Sequence, residues 1–186
     1  MNAQDIPKAA ARKAAFARRK ASHAQDNGAS AGLLSEVLAG YRNVPLAGYL
    51  PIRTEIDPLP SMAEASAHGP VAVPVIQGNG HPLLFSRWTP DVPLRDGPFG
   101  VQVPQVDDFL TPQILIVPLV AFDATGGRLG YGGGFYDRTL EHLRASGSVL
   151  AIGFAYDSQE TAHLPLEATD QPLDMLVTQS RVLSDF

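Results

Sequence analysis

Cysteine is absent from the 186 residues of the chain. Without thiols there can be no disulfide framework, no thiolate nucleophile, no zinc ribbon and no iron–sulfur cluster. Long apolar segments are also missing, because the longest run, from Ile114 to Phe122, contains Pro118 and is too short to span a bilayer. The Ala- and Arg-rich N-terminus lacks the continuous apolar stretch of a secretory signal. We therefore expect a cytoplasmic protein without a membrane partner.

Lysine is scarce and unevenly placed. Its three occurrences, Lys8, Lys13 and Lys20, all fall within the first 20 residues. A Walker-type P-loop needs a lysine directly beside its glycines. The chain therefore has no such nucleotide site, and any lysine that touches a phosphate group must come from the N-terminal arm.

The charge is divided between a basic N-terminal arm and an acidic body. The first 20 residues carry six cations and one anion, whereas the remaining 166 carry eight cations and 18 anions. Double-stranded nucleic acid needs a broad basic face, so the acidic body argues against it as the main ligand. A small anionic ligand that reaches the basic arm is compatible with this pattern.

The length and the 45% hydrophobic content predict one domain, residues 1–186, with a basic helix over residues 7–24 at its start. The stretch 90–104 is rich in proline and glycine and predicts a surface loop. Strands alternating with helices indicate an α/β fold with a mainly parallel sheet covered on both faces. The predicted strands are 44–50, 71–76, 83–88, 113–122, 148–154 and 175–178, and the predicted helices after the first are 31–39, 62–67 and 135–145.

Lys8 and Arg12 share one face of the N-terminal helix, because they are four residues apart. The charge pattern alone favours a solvated basic face.

The most informative segment follows the predicted central strand and reads Arg128-Leu-Gly-Tyr-Gly-Gly-Gly-Phe-Tyr-Asp137. Glycines let a ligand approach the backbone and expose N–H groups, and the start of the following helix adds partial positive charge. Arg128 and Arg138 can pair with phosphate oxygens, and Asp137 can hold a magnesium ion. The segment therefore predicts a phosphate site, with an ordinary strand-to-helix connection as the alternative.

This segment resembles the signature of the 5-formyltetrahydrofolate cyclo-ligase family. Val103 and Gly133 depart from the family pattern, in which an acid often precedes the proline of one loop and a lysine sometimes stands in the glycine run. The resemblance covers nearly the whole chain, because other segments similar to family motifs follow in the family's order: Lys8-x-x-x-Arg12, Tyr49–Asp57, Gly97–Val101, Ala151–Phe154 and Asp170-x-x-x-Asp174.

The resemblance implies an enzyme that converts 5-formyltetrahydrofolate and ATP into 5,10-methenyltetrahydrofolate, ADP and phosphate, with Mg²⁺ bound. The formyl oxygen would receive the γ-phosphoryl group, N10 would attack the formyl carbon, and phosphate would leave. The implied fold is a three-layer α/β/α sandwich related to sugar-phosphate isomerases and CoA transferases. We expect a monomer whose only partners are folate and ATP. Two alternatives stay open: a sugar-phosphate isomerase-like enzyme, and a non-catalytic module that binds folate or another anion.

The resemblance also implies roles for individual residues. Catalysis would involve Glu55, Arg128 and Tyr136, and magnesium would be held by Asp137 and Asp170. Trp88, Phe135 and Tyr136 are candidates to pack on ligand rings, with core packing as the alternative for Trp88. The folate site would be lined by Leu50, Glu55, Tyr131, Gly132, Gly133, Gly134 and Phe135. ATP would be bound by Lys8, Arg12, Arg128, Leu129, Gly130, Tyr131, Gly132, Gly133, Gly134, Phe135 and Tyr136.

Overall fold

A seven-stranded β-sheet forms the centre of the computed structural model, which describes residues 5–186 and the side chains from residue 7 onward. The described residues form four α-helices: α1 (Asp5–Gln25), α2 (Gly32–Leu38), α3 (Leu59–Ser66) and α4 (Phe135–Ser146). They form eleven strands: β1 (Leu46–Ala47), β2 (Val71–Val75), β3 (Leu84–Arg87), β4 (Leu94–Asp96), β5 (Gln102–Pro104), β6 (Ile114–Pro118), β7 (Ala121–Phe122), β8 (Arg128–Leu129), β9 (Leu150–Phe154), β10 (Met175–Val177) and β11 (Val182–Leu183).

The central sheet has the strand order β11-β10-β9-β6-β1-β2-β3. Its inner strands, from β10 to β2, run parallel, whereas β11 and β3 pair antiparallel at the two edges. The predicted mainly parallel sheet is therefore confirmed. β6 has a parallel neighbour on each side and is covered on both faces, which explains why its sequence is apolar throughout.

Alternate residues of β6 contribute to two separate cores. Ile114 and Ile116 belong to the core that includes α2 and α3. Leu115 and Val117 point the other way and pack in the core that includes Leu140 of α4. This division follows from the two-residue period of a strand. The sheet therefore lies between two helical layers, and the predicted three-layer α/β/α arrangement is confirmed.

Two sequence predictions are wrong in this part of the fold. The strand predicted over 113–122 leaves the central sheet after Pro118, and its last two residues form β7, which pairs with β8 in a separate hairpin. The stretch 90–104, predicted as a loop, contains the hairpin of β4 and β5. Its prolines obscured the strand pattern, but Pro104 is the last residue of an edge strand, where a missing N–H is tolerated.

β1 marks the topological switch point of the sheet. β2 pairs with one edge of β1, while β6 pairs with the other edge and leads on to β9. In open α/β sheets, ligands bind in the crevice outside the carboxyl ends of the strands at such a point. Ala15 of α1 packs with Val120 and Leu129 just beyond the end of β6, so α1 borders this crevice.

None of the helices in the described part of the chain combines the length and apolar character that crossing a bilayer requires.

Candidate active site

The glycine segment, residues 130–134, connects β8 to α4. Gly132 and Gly134 have left-handed backbones, with φ of 104° and 64°. The left-handed conformation at Gly134 favours glycine, and a Cβ atom added there would lie 2.6 Å from Nη1 of Arg138, so that the arginine side chain would have to shift. The strand before the segment is β8 of the separate hairpin, not the central strand that the sequence predicted.

Arg128 lies buried at the start of β8 and forms an ion pair with Asp137 in the first turn of α4. The distance from Nη2 of Arg128 to Oδ1 of Asp137 is 2.5 Å, and only 3% of the arginine side chain is exposed. Burial lowers the pKa of Arg128, and the negative charge of Asp137 opposes that shift. The Nε–H of Arg128 has no hydrogen-bond partner among the described residues. Such buried donors occur where a ligand or ion supplies the missing acceptor.

Arg138 lies one turn into α4 and folds back over the glycine segment. Its Nη2 atom donates to the carbonyl oxygen of Gly133 at 2.7 Å, and its guanidinium lies 5.3 Å from the ring centroid of Phe135. Both predicted arginines therefore flank the glycine segment, one buried and one at its surface.

Helix α1 brings Lys8 and Arg12 to the same place from the other end of the sequence. Nε of Arg12 donates to the carbonyl oxygen of Gly130 at 2.8 Å. Nζ of Lys8 lies 2.9 Å from Oε2 of Glu167 and 3.0 Å from Oδ2 of Asp170. Burial opposes the charge of Lys8, but the two carboxylates outweigh it and raise the pKa of the amine. The solvated face favoured by the charge pattern is wrong for Lys8, which is 8% exposed.

Glu55 follows β1 and is 5% exposed. Its Oε2 atom accepts a hydrogen bond from the backbone N–H of Ile52 at 2.9 Å. Burial raises the pKa of Glu55, while hydrogen bonds from Ile52 and Tyr131 and the charge of Arg19 oppose the rise. A buried carboxyl group with a raised pKa can accept hydrogen bonds from a ligand or exchange a proton with it.

Two tyrosines of the glycine-rich region lie close to Glu55. Burial, with the charge of Glu55 adding to it, raises the pKa of Tyr131 to about 12. The same two causes raise the pKa of Tyr136. Both hydroxyl groups therefore keep their protons at neutral pH and can donate hydrogen bonds.

Arg19 is a buried residue that the sequence interpretation missed. It is 1% exposed, and its Nη2 atom donates to the hydroxyl oxygen of Tyr131 at 2.7 Å. One signal was available in the sequence. Lys8, Arg12 and Arg19 are spaced by four and seven residues, which places all three on one face of a helix.

Every residue predicted to bind ATP, folate or magnesium, except the candidate Trp88, lines one cavity of about 730 Å³. This volume lies within the usual range of small-molecule sites. Residues that were not predicted also line it, including Arg53 and Phe99. Phe99, in the turn between β4 and β5, is 69% exposed, and its ring centroid lies 6.2 Å from that of Phe135. Trp88 is buried in the core on the α2 and α3 side of the sheet and does not line the cavity.

Four carboxylates also border the cavity: Asp137, Glu141, Glu167 and Asp170. No cluster of three or more described histidines or acids is arranged to hold a metal ion by itself. Mg²⁺ is usually held by one or two carboxylates together with substrate phosphates. Asp137 binds Arg128 through Oδ1, and Asp170 binds Lys8 through Oδ2, so the second oxygen of each carboxylate remains as a donor atom. This donor set fits a magnesium ion that arrives with a phosphate ligand.

The fold and the cavity define an α/β protein in which a glycine segment and basic side chains line a cavity at the carboxyl edge of a parallel sheet. Residues 7–179 match the model of the 5-formyltetrahydrofolate cyclo-ligase family, and the chain belongs to that family.

Relatives with this name occur in several bacteria. The 5-formyltetrahydrofolate cyclo-ligase of Haemophilus influenzae is 46% identical over 103 residues, which cover 52% of this chain and 54% of that protein. The Escherichia coli K12 protein of the same name is 42% identical over 118 residues, covering 61% of this chain and 63% of that protein. The aligned part of the chain thus spans less than two thirds of either relative. The Mycolicibacterium smegmatis relative is 30% identical, with 72% of each chain covered.

Two solved structures share the fold. The NMR structure of Aquifex aeolicus 5,10-methenyltetrahydrofolate synthetase superposes with a TM-score of 0.76 at 29% identity, covering 95% of this chain and 92% of that chain. A 5,10-methenyltetrahydrofolate synthetase from Mycoplasma pneumoniae gives a TM-score of 0.69 at 22% identity, covering 93% of this chain and 99% of that chain. The second likeness shows the fold alone.

Proposed function

We propose that the chain is an ATP-dependent ligase that converts 5-formyltetrahydrofolate into 5,10-methenyltetrahydrofolate, with release of ADP and phosphate. The observation that carries this proposal is a cavity in a member of the cyclo-ligase family, in which a glycine segment with arginines adjoins a buried carboxyl group. The first part suits a polyphosphate, and the second suits a ligand rich in N–H groups.

The polyphosphate of ATP binds along the glycine segment. Lys8, Arg12 and Arg128 supply positive charge around it, and the backbone N–H groups of residues 130–134 supply hydrogen-bond donors. Leu129, Phe135 and Tyr136 complete the ATP contacts. Asp137 and Asp170 would hold Mg²⁺, which, when bound, neutralises phosphate charge during transfer.

The folate lies on the other side of the glycine segment, near the loop that follows β1. Leu50 and Phe135 pack on its apolar surface, and Glu55 accepts hydrogen bonds from the N–H groups of its pterin ring. Tyr131 stands between Gly130 and Gly132 and lines the cavity between the two ligands. We expect the formyl group to lie beside the terminal phosphate in this arrangement.

The reaction proceeds in two stages. The formyl oxygen attacks the γ-phosphorus, the bond from the γ-phosphorus to the β–γ bridging oxygen breaks, and ADP leaves with that electron pair. The N10 lone pair then attacks the formyl carbon and N10 loses its proton, while the C–O bond breaks and phosphate departs with its electrons. The buried hydroxyl of Tyr136 donates to developing negative charge, and Arg128 balances it. No covalent link to the protein is needed, in keeping with a chain that has no cysteine.

The test is to mix the purified protein with ATP, Mg²⁺ and 5-formyltetrahydrofolate, and to follow the absorbance of the methenyl product and the release of ADP together. We expect equal amounts of both products. We expect Arg128→Met to lower turnover about 100-fold, because it removes positive charge from the transferred phosphoryl group.

Arg144→Met is the matched control. Arg144 also lies in an ion pair, with Asp174, but its side chain does not line the cavity. Its removal should leave turnover within about two-fold of the wild-type value. Binding of folate without ADP release would instead favour the non-catalytic module. Isomerisation of a sugar phosphate without ATP would favour the isomerase-like alternative.

A further inference from the structure

Arg19 is a buried cation without a carboxylate partner among the residues that the structure describes. Neutral oxygen atoms accept hydrogen bonds from its guanidinium group instead. Its Nε atom donates to Oγ1 of Thr54 at 3.1 Å, Nη1 donates to the carbonyl of Leu119 at 3.4 Å, and Nη2 donates to the hydroxyl of Tyr131 at 2.7 Å. Burying a cation in this way is costly unless its donors are satisfied, which is the condition met here.

Two aromatic rings complete the surroundings of this guanidinium. The central carbon of Arg19 lies 5.1 Å from the ring centroid of Phe16 and 5.3 Å from that of Tyr131, and the two rings are 5.5 Å apart. Both distances are within the range of cation–π attraction. Tyr131 is thus held twice by one side chain, through its ring and through its hydroxyl.

The position of Tyr131 makes this contact relevant to the cavity. Tyr131 stands between Gly130 and left-handed Gly132, so a fixed Tyr131 ring also restrains the glycine segment. Arg12, two helical turns before Arg19, holds the carbonyl of Gly130 from the same face of α1. Helix α1 therefore restrains the segment at two adjacent residues.

We propose that Arg19 is a positioning residue for the reaction. It fixes the ring and hydroxyl of Tyr131 from outside the cavity, so that the hydroxyl meets Glu55 and the bound folate in one orientation. Lysine cannot do the same, because its ammonium group is a point charge. It lacks the planar guanidinium that donates to the hydroxyls of Thr54 and Tyr131 and faces the rings of Phe16 and Tyr131. The inference rests on the proposed function, since the readout is that reaction.

The experiment compares kcat and KM for 5-formyltetrahydrofolate in the wild type, Arg19→Lys, Tyr131→Phe and the double variant. Each single change should lower kcat/KM about 10- to 100-fold, mainly through kcat, because a misplaced group costs rate even when ligands still bind. The double variant should lose no more than about two-fold beyond the less active single variant, because both changes break the hydrogen bond between Arg19 and the Tyr131 hydroxyl. Losses that multiply in the double variant overturn the proposal.

Arg18→Lys provides the control. Arg18 is the preceding residue, and its Nε atom donates to the carbonyl of Ser158 at 2.7 Å, outside the cavity. This variant should keep kcat/KM within about two-fold of the wild-type value. If Arg19→Lys does not fold, Tyr131→Phe still tests the hydroxyl through which Arg19 is proposed to act, because it keeps the ring and removes only that group. Full activity of Tyr131→Phe overturns the positioning role.

The outcomes also separate this inference from the proposed function. A wild-type protein that forms no methenyl product overturns the proposed function and, with it, the role of Arg19. An active wild type with an equally active Arg19→Lys variant overturns only the role of Arg19.

Discussion

Glu55 and Asp137 are carboxyl groups of the same cavity with different surroundings. Glu55 is buried and lacks an ion pair among the described residues, and burial raises its pKa. Asp137 lies 2.5 Å from the guanidinium of Arg128 and also accepts a hydrogen bond from the backbone N–H of Gln171 at 2.9 Å. The first surroundings suit a group that binds N–H donors or exchanges a proton. The second suit a carboxylate that is held in place by a cation and a backbone N–H beside a phosphate ligand.

The raised pKa of Glu55 predicts how stability depends on pH. Because the folded protein binds this proton more tightly than the unfolded chain does, the resulting stabilisation is complete below the unfolded-state pKa and is lost as the pH rises through the folded-state pKa. We expect Glu55→Gln to melt at a higher temperature than the wild type at neutral pH, with a smaller difference at about pH 4. Turnover should fall at least about 10-fold.

Thermal melting at several pH values tests this prediction, with Glu64→Gln as the control. Glu64 is an exposed residue of α3, so the same substitution there removes no buried charge. We expect its melting temperature to stay close to that of the wild type at every pH. A Glu55→Gln difference that stays constant between acidic and neutral pH would contradict the prediction.

At the scale of single elements, helix α4 is flanked by a glycine at each end, and the backbone conformation requires glycine at only one of them. Gly134 precedes the helix with φ of 64°, and a Cβ there would press on Arg138. Gly147 follows the helix with φ of 171°, an extended conformation that any residue adopts, and it has open space around it. Only the first glycine is therefore required by the backbone.

This difference gives a paired prediction. Gly134→Ala should lower the free energy of unfolding by about 1–2 kcal/mol, because an L-residue is strained in the left-handed region, and it should also lower turnover by moving the glycine segment. Gly147→Ala should change the unfolding free energy by less than about 0.5 kcal/mol. Urea denaturation of both variants measures the effect, and equal losses would show that the left-handed backbone is not the cause.

Elements were predictable where the pattern was local. The buried strand at Ile114–Pro118 and the helix after Gly134 have the periodicity and flanking residues expected of them. The strands β4 and β5 are three residues each and include a proline, so no local pattern distinguished them from a loop. β7 pairs with β8 in a local hairpin, but each strand has only two residues, too few to show an alternating pattern that would separate β7 from the apolar run before it.

At the scale of the whole molecule, the cavity joins both ends of the chain. Lys8 of α1 pairs with Glu167 and Asp170, and all three side chains line the cavity. We propose that the chain folds as one unit, because the cavity is assembled from both ends of the sequence, and that it acts as a monomer.

Calorimetry tests this proposal together with ligand binding. We expect one unfolding transition whose calorimetric and van't Hoff enthalpies agree. Saturation with ATP and Mg²⁺ at 100 times the dissociation constant should add about 2.7 kcal/mol and raise the melting temperature by about 5–10 °C. Arg128→Met should melt once but show a smaller shift. Two separate transitions would contradict folding as one unit.

The order of residues by itself determined the α/β class, the apolar central strand, the helix α1 and the glycine segment, because each depends on periodicity or backbone freedom within a short stretch. Family resemblance then indicated residues that the structure brings to one cavity. Only the tertiary structure decided that Lys8 is paired with acids and that Arg19 is buried behind Tyr131. On a basic helix every cation looks alike in sequence, and whether one is buried depends on partners that lie more than 100 residues away in the chain.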